Sequence, residues 1–109
     1  MKEEGKMLNI VLLCEYGAST GMVAERIVQA AEKRGIEAVC NAYSTTEIGN
    51  VIDTADVILL GPQVRFRLKK FKEAYADKNV PMDSMNPADY GRMNGEALLD
   101  QALKLVENK

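Results

Sequence analysis

A cysteine at position 14 closes an apolar run, and the residues after it, Glu15, Tyr16, Gly17, Ala18, Ser19, Thr20 and Gly21, are mostly small or hydroxyl-bearing. Where such a loop enters a helix, successive backbone N–H groups point inward. They form an anion-binding nest, reinforced by the positive end of the helix dipole. Phosphate is the natural guest, and the thiolate is the sulfur species that attacks phosphorus. Cys14 is therefore a candidate nucleophile. An unpaired cysteine at a strand end is more often a small buried hydrophobe. The loop tips the balance, since Gly17 and Gly21 with Ser19 and Thr20 are not what plain packing requires.

The other candidates carry less. Cys40 lies between Val39 and Asn41 with no glycine-rich loop beside it and reads as core filler. Two cysteines are too few for a disulfide framework, and no histidine is present, which removes the commonest metal ligand and general base. No metal and no cofactor are expected. A run with Arg65, Arg67, Lys69, Lys70 and Lys72 is a candidate docking face for an acidic partner, although such runs are usually solvated surface. The net charge of −2 argues against a nucleic-acid partner, whose affinity would rest on Lys and Arg.

Those residues need a scaffold, and 109 residues suffice for one compact domain with a single core. Residues 1–7 are polar, without periodicity, and read as a loose N-terminal extension, leaving residues 8–109 as the domain. The LNIVLLC run at residues 8–14 suits a strand buried on both faces of a parallel sheet. A helix starts at Ser19 or Thr20, with Val23, Ile27, Ala30 and Ala31 on its apolar stripe, and ends at Gly35. Residues 36–43 form a second strand, and Ser44 with Glu47 makes a capping box opening a short helix. Residues 55–60 form a third strand. Gly61-Pro62-Gln63 then starts a helix with Val64, Leu68, Phe71 and Tyr75 on its stripe. A short fourth strand lies within residues 80–85, a turn-rich stretch covers residues 86–95, and a last helix carries Leu98, Ala102, Leu105 and Val106.

Four strands alternating with four helices predict an open α/β sandwich with a parallel sheet joined by right-handed crossovers. Its ligand crevice belongs at the carboxyl ends of the strands, where Cys14 sits. The longest apolar run is too short for a membrane span, so a cytoplasmic protein is expected.

Three patterns together resemble the lactose/cellobiose-type IIB proteins of sugar phosphotransferase systems. They are Cys14-x-x-Gly17-x-Ser19-Thr20, the strand ADVILL running into Gly61-Pro62-Gln63, and the late Asp89-Tyr90-Gly91-x-x-Asn94-Gly95. The resemblance covers the chain from residue 8 to about residue 106. It implies an open four-stranded parallel sheet flanked by helices, like that of the low-molecular-weight tyrosine phosphatases. It further implies a protein-cysteine phosphotransferase: Cys14 takes a phosphoryl group from a phosphohistidine on a IIA protein and passes it to a sugar carried by the membrane transporter IIC. On this resemblance residues 15–21 become the phosphate cradle, with Gln63 and Tyr90 as neighbours. A monomer that meets the inner face of the membrane transiently, through IIC, is expected. Glu15 departs from the small or polar residue expected there, and its charge would repel an incoming phosphoryl group unless it points outward. The absence of histidine agrees, because a IIA protein needs one to phosphorylate.

The main rival is a low-molecular-weight phosphatase or arsenate reductase, which uses a cysteine at the same strand end. Those enzymes place an arginine six residues after the cysteine to clamp the phosphoryl oxygens, and here that position is Thr20. Losing such a clamp costs on the order of 3 kcal/mol of transition-state stabilisation, by analogy with one oxyanion-hole donor. A flavodoxin-like or receiver-like binding module ranks behind it, because it leaves Cys14 unexplained and a receiver pocket wants paired carboxylates.

Overall fold

The computed structural model describes residues 7–15 and 18–109, residues 18 and 19 by backbone alone; residues 1–6 of the extension expected at residues 1–7 lie outside them. Four strands, β1 (Leu8–Cys14), β2 (Ala38–Ser44), β3 (Val57–Leu60) and β4 (Met82–Ser84), form one sheet in the order β2-β1-β3-β4. All its pairings are parallel, as the sequence pattern requires.

Side-chain alternation along the strands divides the core into two layers. Leu8, Ile10, Leu12, Val57 and Leu59 face α1 (Ala18–Lys33) and α5 (Gly95–Glu107), where Ile27, Leu98 and Leu99 are fully buried. Val11, Leu13, Ile58 and Leu60 face the other way, onto Ile48, Ile52, Val64, Leu68 and Phe71. With both faces covered, β1 and β3 read as continuous apolar runs, which is why period-2 alternation is invisible in their sequences. Asn9, the one polar residue of β1, donates Nδ2–H to the Thr54 carbonyl at 2.8 Å and its amide to Asp56 Oδ2 at 2.7 Å, while its carbonyl accepts from the Asp56 amide, fixing the entry to β3.

Three segments differ from the expected elements. After β2, Ser44 Oγ accepts from the Thr46 amide at 3.3 Å, one residue short of capping-box register, and a single 3₁₀ turn (Thr45–Glu47) precedes the four-residue α2 (Ile48–Val51). The helix expected from residue 62 is a 3₁₀ stretch (Pro62–Arg67), with Val64 at φ −116°, running into α3 (Leu68–Ala74). The break at Val64 lets its side chain enter the core, at 1% exposed, while Phe66 stays outside. The stretch read as turns contains α4 (Pro87–Gly91), whose first amides, of Ala88 and Asp89, donate to Asn86 Oδ1 at 2.9 and 3.2 Å. Asn at the cap followed by Pro in the first turn was a legible start signal.

Candidate functional site at the end of strand β1

From β1 the chain leaves through α1 to β2 on one side, while from β3 it leaves through α3 to β4 on the other. The two connections diverge between β1 and β3, and in an open parallel sheet the crevice opens where they diverge, at the carboxyl ends. Cys14 is the last residue of β1 and so stands at the mouth of that crevice, with its side chain, by strand alternation, on the α1 and α5 side.

Its neighbours come from both flanking strands. Ser44 pairs with it across β2, its hydroxyl 3.0 Å from Thr46 Oγ1. On the other flank the Gly61 amide donates to the Leu13 carbonyl at 2.8 Å, drawing the end of β3 against Cys14. A methyl group on Gly61 would meet Gln63 Oε1 at 2.8 Å and the Cys14 Cβ at 3.4 Å. Glycine here leaves room for the Gln63 amide near the Cys14 Cβ, and so brings Gln63 to the site. The sulfur-bearing residue itself is 6% exposed.

Across the crevice α1 begins three residues past Glu15, in the place expected for it. Glu15 is exposed, the orientation in which its charge is compatible with an anion at Cys14. Thr20 is fully buried, and its Oγ1 lies 3.3 Å from the Tyr90 hydroxyl, so α4 is tied to the first turn of α1. This unites two residues 70 apart in sequence and makes Tyr90 a member of the site's wall. Gly21 instead borders a groove of about 520 Å³ between α1 and β2, with Asn41 and Ala42. Tyr16 and Gly17 lie outside the described residues, as do the side chains of Ala18 and Ser19.

Cys40 behaves as the sequence suggests. It is 8% exposed in the layer under α1, and burial pushes its thiol up to about 12, so it remains a neutral thiol at physiological pH. Among the described residues no cluster of potential metal ligands occurs, and no helix is long and apolar enough to cross a membrane. Sequence reading did not single out Ser44 or Gly61 as site neighbours. Neither carries a chemical signal; both are brought there by the parallel register.

Residues 9–101 match the family model described as the lactose/cellobiose-specific IIB subunit of the phosphotransferase system. A galactose-specific EIIB component of Lactococcus lactis is 34% identical over 102 residues, spanning 89% of this chain and 94% of the relative. A cellobiose-specific EIIB component of the same species matches equally well, at 34% over 102 residues with the same coverage. Among solved structures, the cellobiose-specific IIB component protein of Borrelia burgdorferi superposes with a TM-score of 0.79 at 39% identity, covering 96% of each chain. The lactose-specific IIB domain of Streptococcus pneumoniae superposes with a TM-score of 0.83 at 19% identity over 92% of this chain and 98% of that one, a likeness of fold.

Proposed function

We propose, because the chain belongs to the lactose/cellobiose-specific IIB family of the sugar phosphotransferase system, that the phosphoryl group this carrier relays rests on the Cys14 sulfur. The observation that carries the assignment is the position of Cys14 at the divergence of β1 and β3, facing the start of α1. IIB components work with a IIA donor and a IIC transporter. The chain has no histidine and so cannot itself hold the donor's phosphohistidine.

In the first transfer the Cys14 thiolate attacks the phosphorus of phosphohistidine on IIA. The S–P bond forms, the N–P bond breaks, and the imidazole nitrogen keeps the electron pair. In the second, a sugar hydroxyl held by IIC attacks the same phosphorus. The O–P bond forms, the S–P bond breaks with departure of the thiolate, and the hydroxyl proton is released. Little covalent chemistry is left to the protein, whose task is to place the group and balance its charge. We assign that balance to residues 15–21, on the pattern of small and hydroxyl-bearing residues that leads into the positive end of the α1 dipole. Glu15 stays outward. Thr20 in place of a clamping arginine slows hydrolysis of the thiophosphate, as a carrier requires, and relatives named as EIIB components do not favour the phosphatase reading. Residues 8–109 act as one domain, a cytoplasmic monomer that reaches the membrane only through IIC.

The test is phosphorylation by phosphoenolpyruvate, the general phosphotransferase proteins and a lactose/cellobiose-type IIA, read by intact mass and peptide mapping under mild conditions. Wild type and Cys40→Ser are expected to gain one phosphoryl group, on Cys14, and Cys14→Ser none. Acceptance by a folded Cys14→Ser protein would overturn the assignment.

A further inference from the structure

The segment that leaves the crevice beside Cys14 has a character of its own. Between Pro62 and Lys72 it carries five of the chain's 14 lysines and arginines and no acidic residue, leaving nine cations against 16 anions elsewhere. In its midst Phe66 is 70% exposed, the most exposed large hydrophobic side chain among the described residues. The Arg67 guanidinium lies over the Phe66 ring, 5.1 Å from its centroid, and steadies it in the outward position. Lys69 and Lys70, three and four residues further on and both exposed, share its face, and the exposed Arg65 flanks it. Phe66 lies only five residues past Gly61, about 18 Å of chain even at full extension, so it is within reach of any protein that covers the crevice.

We infer that Phe66, ringed by Arg65, Arg67, Lys69 and Lys70, is the docking anchor for the phosphoryl donor protein. The complementary face of that donor is an acidic rim around an apolar pocket that takes the phenyl ring. This rests on the Cys14 carrier reading, because it presumes a donor that approaches that crevice.

Charge selects the donor over the other occupants. The cytoplasmic loops of a membrane transporter carry an excess of lysine and arginine, so this face would be repelled by IIC and is free to be attractive to a soluble acidic partner. A bilayer surface would require an apolar face to sink into it, whereas Val64, Leu68 and Phe71 of the same segment are committed to the core and Phe66 projects alone. An exposed aromatic flanked by arginine is the composition of an interface hot spot, and the surrounding cations govern encounter rate and salt dependence.

The experiment compares wild type, Phe66→Ala and the triple reversal Arg65→Glu/Lys69→Glu/Lys70→Glu as acceptors from a phosphorylated lactose/cellobiose-type IIA, by rapid quench over a range of acceptor concentration and salt. Thermal melts establish that the variants, all changed at exposed positions, stay folded. Each variant is expected to raise KM by about tenfold or more with kcat at saturation within about twofold, and the reversal to flatten the salt dependence. Unchanged KM in both variants while wild type is phosphorylated overturns the docking inference and leaves the Cys14 reading standing. Failure of wild type to accept phosphate from any IIA overturns that reading instead. A parallel sedimentation with equimolar phosphatidylcholine and phosphatidylglycerol vesicles is expected to show no binding. Vesicle binding lost in the variants, with KM for IIA unchanged, would assign the face to the membrane and overturn the donor inference.

Discussion

The two cysteines of this chain differ by place and not by type. Cys14 ends a strand at the point where the connections diverge, next to a glycine that leaves room and a helix start that attracts anions; Cys40 sits mid-strand under α1. Burial raises the Cys40 thiol to about 12, against about 8.5 when unfolded. Above the unfolded value the unfolded chain loses this proton and the folded chain keeps it, so stability falls as pH rises through the interval between them. Urea unfolding of wild type and Cys40→Ala at pH 7 and pH 10.5 is expected to show the advantage of wild type shrinking by about 3 kcal/mol at the higher pH. A difference that stays constant would mean that Cys40 ionises as readily in the folded protein. The sequence separates the two cysteines because the Gly17, Ser19, Thr20 and Gly21 pattern follows only one of them. It was silent on Gly61 and Ser44, whose part at the site is purely one of register.

At the scale of elements, the wall of the crevice depends on how α5 is set against α1. Met93 adopts φ 51° and Asn94 caps α5 by accepting from the Ala97 amide at 3.1 Å, so the chain turns sharply into the helix. Gly95, its first residue, then lies on the backbone of α1: a methyl group there would run into the Arg26 carbonyl, whose carbon would be 2.5 Å away. Alanine gains about 1 kcal/mol over glycine in helix propensity. Forcing apart two packed helices costs more than that, since overpacking alone typically costs 1–3 kcal/mol and here the clash is with backbone. Gly95→Ala is therefore expected to destabilise by on the order of 3 kcal/mol, seen as a lower urea midpoint; a neutral or stabilising result would mean the helices are less closely seated. Long amphipathic elements such as α1 and α5 were legible because their stripes repeat over several turns. Of the short ones, α2 showed through its Ser44 and Glu47 start signal, whereas α4, with five residues, is too short for a period to show and was announced only by its Asn86-Pro87 start, and the run from Pro62 changes from 3₁₀ to α geometry partway.

Across the whole molecule, α1 and α5 are also joined by charge. Arg34 donates to Asp100 Oδ1 at 2.7 Å and to Glu96 Oε1 at 2.7 Å, and the guanidinium beside Asp100 holds its carboxyl below the usual carboxylate range. A carboxyl with a lowered folded pKa contributes its stability above the unfolded value of about 3.9 and loses it as pH falls through the folded one. Wild type is expected to exceed Asp100→Asn in thermal midpoint by a constant margin between pH 5 and 8, a margin that closes on acidification below about pH 4 and at high salt. A margin unchanged at low pH would show that the ion pair contributes nothing. By itself the sequence determined the α/β class, the parallel sheet, the candidate nucleophile and its loop, because these follow from local signals: apolar runs, helical stripes, and small residues after a cysteine. Only the tertiary structure decided the strand order, the opening of the crevice between β1 and β3, the union of Thr20 with Tyr90 and the outward position of Phe66. Those depend on which distant segments are brought side by side, and pairing across 50 to 70 residues leaves no mark on the local pattern of either partner.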